Sequence, residues 1–220
     1  GEEVVRLGLN SPAEPRAYST VMPPEHDDEP HSMSAHVIGL IGLHIGTPDD
    51  ACPNDLHLHL SPALMEPDGH VDFGALGVYL DLASSRAGFD TPFVHADLSI
   101  HRIDRPRGQL LLTDVRVLRR GGRSAVVHVA CRDELGTRVA DSTQQIVFVK
   151  SRASFSEASS KRWTDFLASL DGVCRLTGPL HDTVGLVAAR DADGAPVSTL
   201  ALAPINMNGY GGLHGGVAFE

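Results

Sequence analysis

Between Phe73 and Arg86 the chain reads Phe-Gly-Ala-Leu-Gly-Val-Tyr-Leu-Asp-Leu-Ala-Ser-Ser-Arg, apolar on nearly every side of a helix of that length. A surface helix keeps a polar face, so a helix without one has to be surrounded by other structure. The sequence that follows supplies the wrapping. Four strand-like runs, 93–102, 109–119, 124–132 and 137–149, are separated at their later boundaries by Arg119-Arg120-Gly121-Gly122-Arg123 and Asp133-Glu134-Leu135-Gly136, where hairpin turns belong. Ahead of the helix, residues 37–45 are apolar and glycine-punctuated and open the unit as its first strand. Leu56-His57-Leu58-His59-Leu60 then alternates with period two, as a half-buried strand does. Strand, strand, buried helix and antiparallel meander make an α+β unit rather than a βαβ one.

At 220 residues, with 42% hydrophobic and 21% charged residues, the chain has the means to bury a core. A formal net charge of −10 argues against nucleic acid as partner, because a nucleic-acid binder shows a basic footprint. No apolar run approaches the ~20 residues that span a bilayer, so no membrane partner is expected. Cys52, Cys131 and Cys174 are odd in number and form no CxxC pair, so they read as thiols of a reducing compartment, and the expected location is the cytoplasm. Residues 1–32, rich in Pro, Glu, Asp and His, read as an N-terminal arm. Residues 33–150 form the first unit, the Ser-rich 151–161 a linker, and 162–220 the opening of a second unit, with a short helix at 162–170 and strands at 183–189 and 197–202.

The second unit is inferred from self-similarity. Displaced by 142 residues, Leu58 meets Leu200, Leu60 meets Leu202, Pro62 meets Pro204, Met65 meets Met207, Gly69 meets Gly211 and Gly74 meets Gly216, six identities in seventeen gap-free positions. One residue of slippage then brings Gly42-Leu43 onto Gly185-Leu186. The plainer reading is coincidence between two glycine-rich loops; identities at Gly and Pro, where the backbone is constrained, favour duplication.

The stretch Asn208-Gly-Tyr-Gly-Gly-Leu-His214-Gly215-Gly216-Val217 leaves a strand through a glycine-rich turn and, by the repeat, opens a helix. First-turn N–H groups lack intrahelical partners and lie at the positive end of the dipole, and glycine lets a ligand approach them closely. Such a turn stabilises a developing oxyanion without cationic side chains. A glycine-rich loop made for tight packing is the bland alternative. With its Asn and His, however, the stretch resembles the Asn-x-x-Gly-x-x-His-Gly-Gly motif of the hotdog-fold acyl-CoA thioesterases of the phenylacetate-pathway type, and the element order over 33–220 resembles theirs too.

That resemblance implies a hotdog fold, a curved antiparallel sheet wrapped round a long helix, working as pairs of units with the site between them. It implies hydrolysis of acyl-CoA thioesters, with coenzyme A entering as part of the substrate and no separate cofactor. Gly215 would polarise the thioester carbonyl, Asn208 and His214 would complete the motif, and a carboxylate nine residues beyond the motif histidine would act as base or nucleophile. For the second unit that position is 223, which the chain does not reach; its counterpart 142 residues earlier is Asp81, the single charge between Phe73 and Ser85. A lone carboxylate in an apolar helix is costly unless partnered, which makes Asp81 a candidate base and also leaves room for a structural Asp bonded to a neighbour.

At the same positions of the first unit the pattern departs: Asn becomes Glu66, His becomes Asp72 and the first Gly becomes Phe73. Two extra carboxylates and a Phe ill suit an anionic transition state, so the halves are read as complementary, one giving the acid and the other the oxyanion motif. His95 falls where the resemblance places a Ser or Thr that orients water, although a strand histidine is more often structural. Gln144 and Gln145 on the last strand are weaker candidates. Gly216 at the helix start and Arg120 of the basic cluster Arg116, Arg119, Arg120 and Arg123 are candidates for holding the CoA portion, against an ordinary solvated hairpin. His57 and His59 share one strand face but lack a third ligand in a recognisable spacing, so no metal is assigned. A non-catalytic acyl-CoA-binding protein and an enoyl-CoA hydratase of the same fold remain the alternatives. The second unit is expected to be completed beyond residue 220 or by another chain, the latter including a homo-oligomer.

Overall fold

The computed structural model describes residues 4–8, 36–46, 56–149, 165–190, 192–201, 203–206, 214 and 217. In chain order the elements are β1 (Val4–Gly8), α1 (Val37–Leu40), β2 (Leu43–Ile45), β3 (Leu56–His59), α2 (Phe73–Ser84), β4 (Phe93–Arg102), β5 (Leu110–Arg120), β6 (Ser124–Asp133), β7 (Arg138–Phe148), α3 (Leu180–Val184), β8 (Leu186–Arg190) and β9 (Pro196–Ala201). Short 3₁₀ turns lie at Pro62–Leu64, Ser85–Ala87 and Pro204–Asn206.

Helix α2 is the centre, as its composition demands: every residue from Gly74 to Ser84 is buried. Asp72 caps its start, the carboxylate accepting from the Ala75 N–H at 2.8 Å. The Tyr79 hydroxyl stands between the carbonyls of Leu56 on β3 and Leu111 on β5, at 2.9 and 2.8 Å. Gln144 on β7 donates from Nε2 to the Leu80 carbonyl at 2.7 Å. These bonds tie the helix to three strands of one sheet.

That sheet is antiparallel throughout, in the order β2-β3-β5-β6-β7-β4. Its concave face and α2 share the core, with Leu58, Leu111, Val127, Val129, Ala140 and Ile146 at 0% exposure. This curved sheet wrapped round a central helix is the hotdog arrangement expected of residues 33–150. The expected strand over 37–45 is a strand only at its end. Residues 37–40 are helical because the His36 ring accepts from the Ile38 N–H at 3.2 Å, and Gly42, at φ 81°, turns the chain into β2.

In β4 the pairing to β7 shifts between His95 and Asp97. Phe93 and His95 face inward before the bulge, and Leu98 and Ile100 after it. Without the extra residue a strict two-residue period would send one of these pairs outward.

The second part has its own sheet, β1-β9-β8, so within the stretch read as an arm Val4–Gly8 is a strand paired to β9. Its parts repeat those of the first: a short helix, a glycine at positive φ (Gly185, 76°), two strands, then a 3₁₀ turn opening at Pro204, 142 positions after Pro62. It does not extend the larger sheet as further long strands. Residues 171–175 instead run along β2, the Gly172 N–H donating to the Leu43 carbonyl and the Arg175 N–H to the Leu40 carbonyl. Leu180, Val184, Leu200 and Val217 join the same buried core as α2.

Candidate active site

Asp81 opens the last turn of α2 at 6% exposure, and its carboxylate meets a histidine at each oxygen. His95 of β4 places Nδ1 2.8 Å from Oδ1, and His214 of the second part places Nδ1 3.5 Å from Oδ2. The isolated carboxylate expected from the sequence is therefore a partnered one, which answers the cost of burying it. The other ring nitrogen of His95, Nε2, lies 2.7 Å from the Ser84 hydroxyl, one turn beyond Asp81 on the same helix. Ser84 in turn donates to the Asp81 backbone carbonyl at 2.9 Å. The bulge in β4 is what aims His95 at this turn.

His214 is 3% exposed. Its N–H donates to the Asn206 carbonyl at 2.8 Å. Asn206 is fully buried, and its amide donates to the carbonyls of Ala201 (2.9 Å) and Val184 (3.4 Å) while accepting from the Ala203 N–H (2.9 Å). So one side chain holds the end of β9, the end of α3 and the bend that delivers His214. Burial lowers the His214 pKa from its ordinary value, more than the nearby Asp81 charge raises it, and His95 adds to the lowering. The contact with Oδ2 is thus that of a neutral imidazole rather than an ion pair. The His36 ring stacks edge-on against His214, centroids 5.9 Å apart, and behind it Phe166 at 5.7 Å closes the site on that side.

In the first unit the positions matching the motif are occupied by structure. Asp72 caps α2, and burial pushes its carboxyl pKa up. Glu66 is ion-paired with Arg102, whose guanidinium lies 5.6 Å from the centre of the Phe73 ring. The start of α2 is closed by its own side chains.

Arg120 stands over two rings, 5.3 Å from Phe89 and 5.7 Å from Phe148. Those rings continue through Phe93 to His95, with centroids 5.7 Å and 5.6 Å apart at the two steps, so an aromatic row joins Arg120 to the carboxylate site. Arg116 is ion-paired with Asp114. Gln144 serves α2 and Ser142 through its Nε2, and Gln145 is exposed. Asn208, Gly215 and Gly216 lie outside the described residues. His57 packs beside His44, and among the described residues no three His, Cys, Asp or Glu side chains are grouped to hold a metal ion. Burial pushes the Cys131 thiol up to about 12, far from a reactive thiolate.

Sequence reasoning missed Ser84, Asn206 and His36. Ser84 had a readable signal, a helical Ser three residues after the one buried acid. Asn206, beside a 3₁₀ turn, had none that separates it from the motif's own Asn208.

No family model matches the chain, and no curated protein matches it. Among solved structures, a Bacillus halodurans protein determined with CoA is 22% identical over 51% of this chain and 76% of its own, with a TM-score of 0.42. A Shewanella oneidensis protein related to the thioesterase superfamily is 18% identical, covers 51% of this chain and 86% of its own, and gives 0.44. The Escherichia coli PaaI protein from the phenylacetic acid degradation operon is 12% identical over 44% and 73%, at 0.39.

Proposed function

We propose that this protein hydrolyses acyl-CoA thioesters at one site shared between two related halves of the chain. The observation that carries the reading is the meeting of Asp81, on the buried helix of the first half, with His214, from the His-Gly-Gly stretch of the second, at 3.5 Å. Duplication is supported by the matching order of helix, positive-φ glycine, two strands and Pro-led turn in both halves.

In this mechanism the Asp81 carboxylate takes a proton from water, and the water oxygen bonds to the thioester carbonyl carbon. The N–H of Gly215 receives the oxyanion, and Asn208 binds the thioester or the water. As the tetrahedral species collapses, the carbon–sulfur bond breaks and the proton passes to sulfur, leaving a free acid and the CoA thiol. Direct attack by Asp81, through an anhydride that water then opens, uses the same residues. The closed helix start of the first half, with Asp72 as cap, supports one working site per pair of halves.

The test is thiol release from a panel of short, long and aromatic acyl-CoAs, with Asp81→Asn as control. Turnover lost in the variant supports the reading; no turnover of any acyl-CoA by the protein removes it, in favour of a binding role. A hydratase is the second reading, favoured by the 2.8 Å contact between His95 and Asp81, since adding water across an enoyl double bond calls for a paired imidazole and acid. An enoyl-CoA assayed beside its saturated analogue separates the two.

A further inference from the structure

Three contacts in series run from the Asp81 side chain back to the Asp81 main chain. They are Oδ1 to His95 Nδ1 at 2.8 Å, His95 Nε2 to Ser84 Oγ at 2.7 Å, and Ser84 Oγ to the Asp81 carbonyl at 2.9 Å. A carbonyl brings no proton, so the Ser84 hydroxyl spends its only one there. The serine oxygen is then an acceptor, and His95 Nε2 is the donor to it. The remaining contact, Nδ1 to Oδ1, brings the imidazole and the acid to 2.8 Å. Together the three contacts hold the His95 ring and the Asp81 side chain against one another.

The connectivity Ser–His–Asp is that of a hydrolytic triad, in which serine would be the nucleophile. Two observations oppose that role here. Ser84 is 0% exposed, whereas the side chains of His95 and Asp81 retain 17% and 9%. The Ser84 proton is also committed to a carbonyl rather than to the imidazole that would have to remove it. The serine lies at the buried back of the relay, and the imidazole and the acid lie on its accessible side.

We propose that Ser84 and His95 are positioning residues that lock Asp81 through Oδ1 and present Oδ2, the oxygen facing His214, as the one that reacts. This rests on the hydrolytic reading above and adds to it which oxygen works and what holds it. A carboxylate pinned at one oxygen cannot rotate out of line, and misplacement by about 1 Å costs on the order of 10²-fold in rate.

The test combines kinetics, quenched-reaction mass spectrometry and histidine ring NMR on the full chain. Ser84→Ala should lower kcat about tenfold, the worth of one hydrogen bond, with KM unchanged; Ser84→Thr, which keeps the hydroxyl, should restore most of it. His95→Ala should lower kcat ~10²-fold. His95→Asn, whose amide can stand where Nδ1 stands, should keep more rate than His95→Ala. In the unmodified protein, exchange-protected ring N–H signals of His95 should be present, moving in Asp81→Asn and weakening in Ser84→Ala. Loss of thermal stability with kcat unchanged in both alanine variants overturns the proposal, because the ring would then be only structural. An acyl adduct trapped on Ser84 overturns it in favour of covalent catalysis. If no acyl-CoA is turned over at all, the hydrolytic reading fails, and the NMR still decides the ring: no protected His95 ring N–H means that it does not exist.

Discussion

The carboxylate of Asp81 and the imidazole of His214 lie 133 positions apart in the chain and stand 3.5 Å apart in the fold, both nearly excluded from water. Neither half contains both groups: the first has the acid and the second the histidine. The pairing depends on residues 171–175 lying along β2 and on Leu180, Val184 and Val217 entering the core round α2. Both groups lie on one chain, so their encounter is intramolecular.

Asp81→Asn should fold and should lose at least ~10²-fold in kcat, the lower bound for a positioned acid or base. The amide is nearly isosteric and removes a buried charge, so thermal stability should change little. Near-normal turnover in a folded Asp81→Asn protein would remove Asp81 from the chemistry.

The lowered pKa of His214 gives stability a direction with pH. The unfolded chain takes up a proton near the ordinary value of 6.5 and the folded chain only below it, so the unfolded state binds more protons in that window. Stability from this group is complete above about pH 6.5 and falls as the pH drops towards the folded value, by up to about 1.4 kcal/mol per pH unit. Asp81, His95 and His36 face the same imidazole, so the comparison must be made against His214→Gln. That variant should show a shallower loss of Tm between about pH 6.5 and 5; identical slopes would mean that His214 is not the group responsible.

Much of this was legible in the sequence. The buried helix, the α+β order and four strands to within a residue or so followed from period and turn chemistry, because each is a local signal. Asp81 was pointed to by the resemblance and the 142-residue offset, with its place as the one charge in an apolar helix in support. The misreadings share a cause in contacts distant along the chain. The turn at 37–40 depends on a His36 cap and on burial against α2, the 93–102 run conceals a bulge that changes which residues face inward, and Val4–Gly8 becomes a strand by pairing with β9. Arg120, read from its arginine neighbours, is held by two phenylalanines far from it in sequence.

The two helix starts should respond differently. Asp72→Ala removes the cap of α2 and should cost about 1 kcal/mol of stability, leaving kcat within twofold. Gly215→Pro removes a donor N–H from the proposed oxyanion site and should lower kcat ~10²–10³-fold. Comparable kinetic damage from both, measured with Tm alongside, would mean that the first half has a working site as well.

Gly42 tests the seam between the halves. At φ 81° it adopts a left-handed conformation, and a Cβ there would stand 2.8 Å from the Cys174 backbone nitrogen. Gly42→Ala should cost about 1–2 kcal/mol from backbone strain alone and more from the clash. It should also raise amide exchange at Gly172 and Arg175, whose N–H groups bond to the Leu43 and Leu40 carbonyls on either side of Gly42. An unchanged exchange rate would show that the second half is held without this seam.

Asn206 offers the sharpest test of how His214 is placed. Its side chain makes three bonds to the backbone, at Val184, Ala201 and Ala203, while its own carbonyl receives the His214 N–H. Asn206→Ala keeps that carbonyl but leaves the other three groups to find new partners. The expected loss is about 1–3 kcal/mol, the cost of leaving buried polar groups unsatisfied. Because the carbonyl is carried on the bend that the side chain holds, kcat should fall with stability, and the low-pH loss attributed to His214 should shrink as the ring gains access to water. Asn206→Asp keeps the acceptor for Ala203 but turns a donor into a second acceptor facing two carbonyls, and should be worse than alanine. A destabilised Asn206→Ala protein with unchanged kcat and an unchanged pH profile would show that His214 is placed by something other than this bend.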